Sequence, residues 1–264
     1  MMELLAVLAM AFYLLAAFAC VHNLFNPHNN GRRYGLLAAV FALLLHGTWL
    51  VNTVILVPGQ NLSMLNVASL VSLIVAGLMS LLVTRFNVWV LMPVVYGFAF
   101  LLLLADMLLP GHYTMHLETR PEVLVHITLG LMSYSLLGIA CLLAILLGFL
   151  DHRLKKHKLT NLPAMPPLMT LERYLFRLIF AGVVLLTLSI SSGLFFLQEM
   201  FSPGKVHKAV LTIIAWCVYV GLLWGHHRLG WRGRKVIWTS VAGSLLLTLA
   251  YFGSRFVREV LLGS

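Results

Sequence analysis

Charge is scarce in this chain of 264 residues. Asp, Glu, Lys and Arg together fill only 10% of its positions, against about 25% in soluble domains. A soluble fold of this length cannot bury the surface of a chain that is 61% hydrophobic, so the solvent for most of it is a bilayer. That excludes a secreted enzyme, a cytosolic dinucleotide-binding protein and a disordered chain. Cysteine is also sparse. Cys20, Cys141 and Cys217 each sit alone in an apolar segment. No CxxC or CxxCH occurs, which excludes a zinc ribbon, a thioredoxin-like motif and covalent haem attachment. Isolated apolar-segment cysteines read as packing residues. P-loop, HExxH and GxSxG patterns are missing, so ATPase, zinc protease and serine hydrolase chemistry have no support. Apolar residues do not alternate over short segments, which excludes an outer-membrane barrel. Glu3 stands where a signal peptide carries positive charge, and no A-x-A-like cleavage site follows, so residues 3–22 read as a retained first helix.

What the chain does have is long apolar runs, and its mean hydropathy is +0.97. Eight spans emerge, at 3–22, 34–56, 65–84, 88–109, 121–150, 175–198, 206–226 and 235–256. Each is about 20 residues or more, enough to cross the hydrocarbon core. Turn chemistry separates them: Asn26-Pro27, Pro58-Gly59, Pro110-Gly111, Pro163 to Pro167, Pro203-Gly204 and Gly230. Thr119-Arg120-Pro121-Glu122 reads as a helix start, with a Thr cap and Pro in the first turn. Residues 168–178 read as an interfacial helix start, with Glu172, Arg173 and Arg177 beside a leucine-rich face. The expected fold is an all-α polytopic helix bundle, one integral membrane domain over 1–264. Of the 18 Lys and Arg residues, 13 fall in alternate loops on one side and 5 on the other. The positive-inside rule puts the 13 in the cytoplasm and both termini outside. The net charge of +10 therefore reads as an orientation signal and not as a nucleic-acid surface.

Ionisable groups inside spans are the informative ones, because lipid makes them costly. The ones that stand out are His46, Asp106, His126 and His226. Asp106 lies four residues from Pro110, close to the interface, which weighs against a proton-coupled transporter. Histidine is the common axial ligand of haem iron. His46, in LLLHGTWL, is either such a ligand or a core histidine bonded to another helix. His126, Gly130, Tyr134 and Gly138 recur every four residues along one helix face. Glycines below a histidine suit a flat macrocycle, and they equally suit close helix packing. His46 and His126 are the expected axial pair for haem b. If their depths cannot be reconciled, His116 or His207 replaces His46, which becomes a core residue. His226 falls on the opposite side of the membrane, beside His227 and Arg228, where it reads as part of a solvated basic face. Trp89, Trp224, Trp231 and Trp238 near span ends read as interfacial belts.

The segment LERYLFRLIFAGVVLLTLSISSG, followed by KAVLTIIAWCVYVGLLWGHHRLGWRGRK, resembles a known pattern. It is similar to the haem-handling cytochrome c assembly family of integral membrane proteins, through Leu171, Arg173, Arg177, Leu178, Gly182, Leu185 to Leu188 and Gly193. Lys208, Trp216, Tyr219, His226 and Arg228 match the family's tail, and VHITLGLMSYS places His126 where the family has its first external haem histidine. The resemblance implies a second, inner haem site for His226, which cannot share an iron with His126. The family-like core covers about 120–256, and the whole chain is most similar to the YpjD-like, HemX-like branch. The family's external tryptophan motif is here Phe196-Leu197-Gln198-Glu199-Met200-Phe201. Phe196 and Phe201 are expected to flank an apolar pocket opening outward, shared with Tyr134 and Gly130. The resemblance implies a multi-pass protein of the bacterial inner membrane that binds haem b non-covalently and supports haem handling or cytochrome c maturation, without being an enzyme. The expected partners are haem, membrane lipid and another membrane protein, with no nucleic acid. A second reading keeps the fold but drops haem presentation: a membrane partner or regulator that docks another membrane protein or a haem-synthesis enzyme.

Overall fold

In a computed structural model of the chain, the residues described are 2–26, 31–56, 59–86, 88–109, 111, 113–117, 120–155, 167–196 and 206–256. Helix follows helix: α1 (Met2–Phe25), α2 (Gly31–Leu50), α3 (Met64–Arg85), α4 (Met92–Leu108), α5 (Pro121–Lys155), α6 (Leu168–Phe196), α7 (Val206–Leu229), α8 (Arg234–Thr248) and the short α9 (Ser254–Phe256). Eight segments are long and apolar enough to cross a membrane, which is the all-α, eight-span architecture expected from hydropathy. Two run on into π-helical turns, α2 through Val51–Ile55 and α8 through Leu249–Gly253. The largest departure is in the sixth span. It begins at Leu168 rather than 175, so the charged run that reads as an interfacial start is the first part of one continuous helix. Glu172, Arg173 and Arg177 interrupt hydropathy, but all three are good helix formers.

The helices form two compact units, α1–α4 and α5–α9. In the first unit, small residues let helices approach closely, as membrane helices require in the absence of a hydrophobic driving force. Ala6, Ala9 and Ala16 of α1 and Ala39 and Ala42 of α2 have no exposed surface. A Cβ at Gly35 would lie 3.3 Å from Cys20 Sγ of α1. Two loops of this unit are clasped by a two-residue antiparallel ladder, β1 (Gln60–Asn61) with β2 (Thr114–Met115). Side chains reinforce it: Gln60 Oε1 accepts from Leu117 N at 2.8 Å, and Asn61 Nδ2 donates to Gly111 O at 2.9 Å. Ser63 caps α3, its Oγ accepting from Asn66 N. Trp49 Nε1 donates to the buried Asp106 Oδ2 at 3.1 Å, so this carboxylate has a fixed partner.

In the second unit, α5 and α6 pack along their length. Ser133 Oγ of α5 donates to Gly182 O of α6 at 2.8 Å, a contact that needs the glycine's bare backbone. A Cβ at Gly182 would lie 2.7 Å from Leu137 Cδ2. Helices α7 and α8 meet similarly. Tyr219 Oη donates to Ser240 O at 3.2 Å, and its ring lies over Gly243, where a Cβ would come within 2.7 Å.

Candidate functional site

The three intramembrane histidines have different surroundings, and hydrogen-bond chemistry separates them. His46 has no exposed surface. Its Nδ1 meets Tyr13 Oη at 3.0 Å and its Nε2 meets Ser69 Oγ at 2.9 Å. Tyr13 also packs edge-on against the imidazole, with ring centroids 5.8 Å apart. Both ring nitrogens are therefore used within the first unit. Ligating iron would require His46 to release one of these bonds and leave a buried hydroxyl without its partner.

His126 sits in the second turn of α5, where that helix meets the end of α6. Its Nδ1 lies 2.9 Å from Ser189 O and 3.1 Å from Ser192 Oγ. Ser192 donates its own hydrogen to Ser189 O at 2.8 Å, so its oxygen is available as an acceptor. A carbonyl has no hydrogen to give, hence Nδ1 carries the hydrogen and Nε2 keeps the lone pair. Nε2 has no partner among the described residues. A histidine tied at Nδ1 to a backbone carbonyl, with Nε2 open, is the arrangement that orients a metal-ligating imidazole.

The column below His126 divides between two neighbours. A Cβ at Gly130 would touch Ser189 Oγ at 3.4 Å, an ordinary contact that lets α6 come close. Tyr134 turns toward the end of α8 and its π-helical extension, its Oη 2.9 Å from Thr248 Oγ1 and its ring 5.8 Å from that of Phe252. Gly138 has open space where its Cβ would be. Phe196, at the end of α6, is 62% exposed, and Phe201 lies outside the described residues, as does His112. His116 packs against Gly59, which has a φ of +73°, and a Cβ there would lie 3.1 Å from its ring. His207 is exposed at the start of α7.

The other end of the second unit holds a cavity of about 430 Å³. Its walls include Glu172, Arg173, Phe176 and Arg177 of α6, His226 of α7 and Arg232 beyond it. Phe176 and the His226 imidazole stack with centroids 3.4 Å apart and planes 15° from parallel. His226 Nδ1 donates to Trp231 O at 3.0 Å, which again leaves the lone pair on Nε2. The Trp231 ring folds back onto Gly225, where a Cβ would clash at 2.5 Å, and the Trp231 backbone N–H donates to Gly225 O. No group of three or more His, Cys, Asp or Glu able to hold a bare metal ion occurs among the described residues. The sequence shows every residue of this cavity, but Arg232 stands out there only as one cation of an inner loop.

Comparison with known proteins places these features in context. The family model described as cytochrome C assembly protein matches residues 34–262, well beyond the core of about 120–256 that motifs alone suggest. The chain is 45% identical over 264 residues to the inner membrane protein YpjD of Escherichia coli (strain K12), covering 98% of this chain and 100% of that one. It is 33% identical over 87 residues to the cytochrome c biogenesis protein CcsA of Synechococcus sp. (strain RCC307), or 31% of this chain and 27% of that protein. It is 27% identical over 155 residues to the protein of the same name from Guillardia theta, 52% of each chain. No solved structure matches it. Eight apolar helices and a full-length relative named for the inner membrane make this a multi-pass protein of the bacterial inner membrane. By a family-model match over most of its length, the chain belongs to the cytochrome C assembly protein family.

Proposed function

We propose that this protein binds haem b non-covalently in its second helical unit and supports haem handling in cytochrome c maturation, as a binding protein without catalytic chemistry of its own. The observation that carries the reading is His126. Its Nδ1 is committed to Ser189 O and Ser192 Oγ, so Nε2 is the nitrogen left to an iron. Family membership and the two relatives named for cytochrome c biogenesis give the haem reading its direction. His46, with both nitrogens engaged, acts as a core histidine that joins α1, α2 and α3. His226 belongs to a different, strongly polar cavity.

The test is to purify the full chain from haem-replete cells and quantify haem by pyridine haemochrome. About one haem b, extractable by acidic acetone because no CxxCH binds it covalently, supports the proposal. A colourless protein removes it and leaves the reading in which the same fold docks another membrane protein or a haem-synthesis enzyme.

A further inference from the structure

The cavity at the start of α6 combines features that the haem reading does not use. Met169, Glu172, Arg173, Phe176, Arg177 and Phe180 recur at helical spacing, so one stripe of α6 forms a wall. Phe180 lies eleven residues after Met169, about 16 Å along the axis. That is the scale of a phospholipid headgroup plus the first part of its acyl chains. Met169 and Phe180 are 69% and 62% exposed, on a helix apolar enough to span the bilayer, so the cavity is open to acyl chains. Its polar part carries the guanidiniums of Arg173, Arg177 and Arg232. No ion pair among the described residues involves any of them. Glu172 Oε1 is buried and has no hydrogen-bond partner among the described residues. A buried carboxylate oxygen without a donor is costly, and it marks a place where a donor belongs.

We infer that this cavity is a binding site for a phospholipid with a hydrogen-bond donor in its headgroup, of which phosphatidylethanolamine fits best. The guanidiniums take the phosphate, for which their planar fork of donors is suited. The ammonium donates to Glu172 Oε1. The acyl chains run along Phe176 and Phe180. A ligand carrying only anionic groups would satisfy the arginines but would set like charge against Glu172. A choline headgroup brings positive charge but no N–H to give.

The test uses the purified full-length protein and native mass spectrometry, titrating lipids with identical acyl chains. Phosphatidylethanolamine is expected to bind about tenfold more tightly than phosphatidylcholine, the size of one charge-assisted hydrogen bond. The monomethyl and dimethyl headgroups retain an N–H and are expected to stay near the ethanolamine value. This series needs no mutation, so misfolding cannot mimic the result. Glu172→Leu, which removes the acceptor, is expected to bring the ethanolamine and choline lipids within about twofold of each other. Arg177→Gln or Arg232→Gln is expected to weaken all of them. Arg228→Gln, at the same end but outside the cavity, is expected to change nothing.

Equal binding of the ethanolamine and choline lipids by the wild type overturns the inference. So does a preference for phosphatidylglycerol that survives Glu172→Leu, which describes an ordinary anionic-lipid patch. Displacement of the lipid by soluble phosphoethanolamine at equal concentration overturns it in favour of a small phosphate ester. Displacement by haem, with an absorption band lost in His226→Ala, overturns it in favour of an inner haem site. The cavity shares no residue with the His126 site, so failure here leaves the haem proposal standing and success does not establish it.

Discussion

Gly182 is where one methyl group should do the most measurable damage to the second unit. An alanine Cβ there would lie 2.7 Å from both Cγ and Cδ2 of Leu137, which is 1% exposed. Ordinary contact begins near 3.4 Å, so the leucine or the helix must yield by about 0.7 Å. Driving Leu137 off its rotamer costs about 0.5–1.5 kcal/mol, and overpacking a buried contact costs about 1–3 kcal/mol in total. The higher figure applies if α6 moves, because the Ser133 to Gly182 hydrogen bond is then stretched as well. Ser189 lies two turns further along the same face, so that movement also pulls its carbonyl from His126. Leu137→Ala alone should cost about 2–5 kcal/mol through the cavity it leaves. In the double variant the added methyl occupies part of that cavity. The assay is a double-mutant cycle on stability in detergent, following helicity against denaturant. The double variant is expected to be at least about 1 kcal/mol more stable than the sum of the singles, outside the few tenths typical of independent sites. Additive effects, or a Gly182→Ala variant as stable as wild type, would refute the close α5–α6 contact.

Two more expectations rest on other parts of the molecule. With 13 of 18 cations on one side, alkaline phosphatase fused after Ser264 should be active and fused after Lys158 inactive; the reverse pattern contradicts the orientation. Tyr13→Phe or Ser69→Ala should each destabilise the first unit by about 1–3 kcal/mol, since each strips a buried imidazole nitrogen of its partner. Neither should change haem content, and loss of haem in either variant would return His46 to the iron site.

The eight spans can be read from sequence because hydropathy is a local property, and each apolar run is bounded by Pro, Gly or Asn turns. The helix start at 168 is legible, but its continuity with the span from 175 is not, because Glu172, Arg173 and Arg177 lower hydropathy without lowering helix propensity. The β1–β2 clasp is two residues per strand between loops far apart in the chain, too short for any periodic signal. The candidate histidines are visible as ionisable groups in apolar runs, but their roles are not. What distinguishes His46 from His126 is the partner of each nitrogen, and those partners come from other helices: Tyr13 and Ser69 in one case, Ser189 and Ser192 in the other. The spacing of Gly130, Tyr134 and Gly138 is equally visible, yet it does not say that Gly130 admits α6 while Tyr134 reaches Thr248. The cavity around Glu172 assembles from residues some sixty positions apart, which a pass along the chain reads as separate interfacial charges.

The account turns on which histidine holds iron, and one measurement addresses that directly: the reduced-minus-oxidised spectrum of the purified wild type beside His126→Ala, His46→Ala and His226→Ala. The expected result is a b-type signal in the wild type that is lost in His126→Ala and kept in the other two, provided each variant retains wild-type helicity. A signal that survives His126→Ala, or that disappears only with His46→Ala, would contradict it.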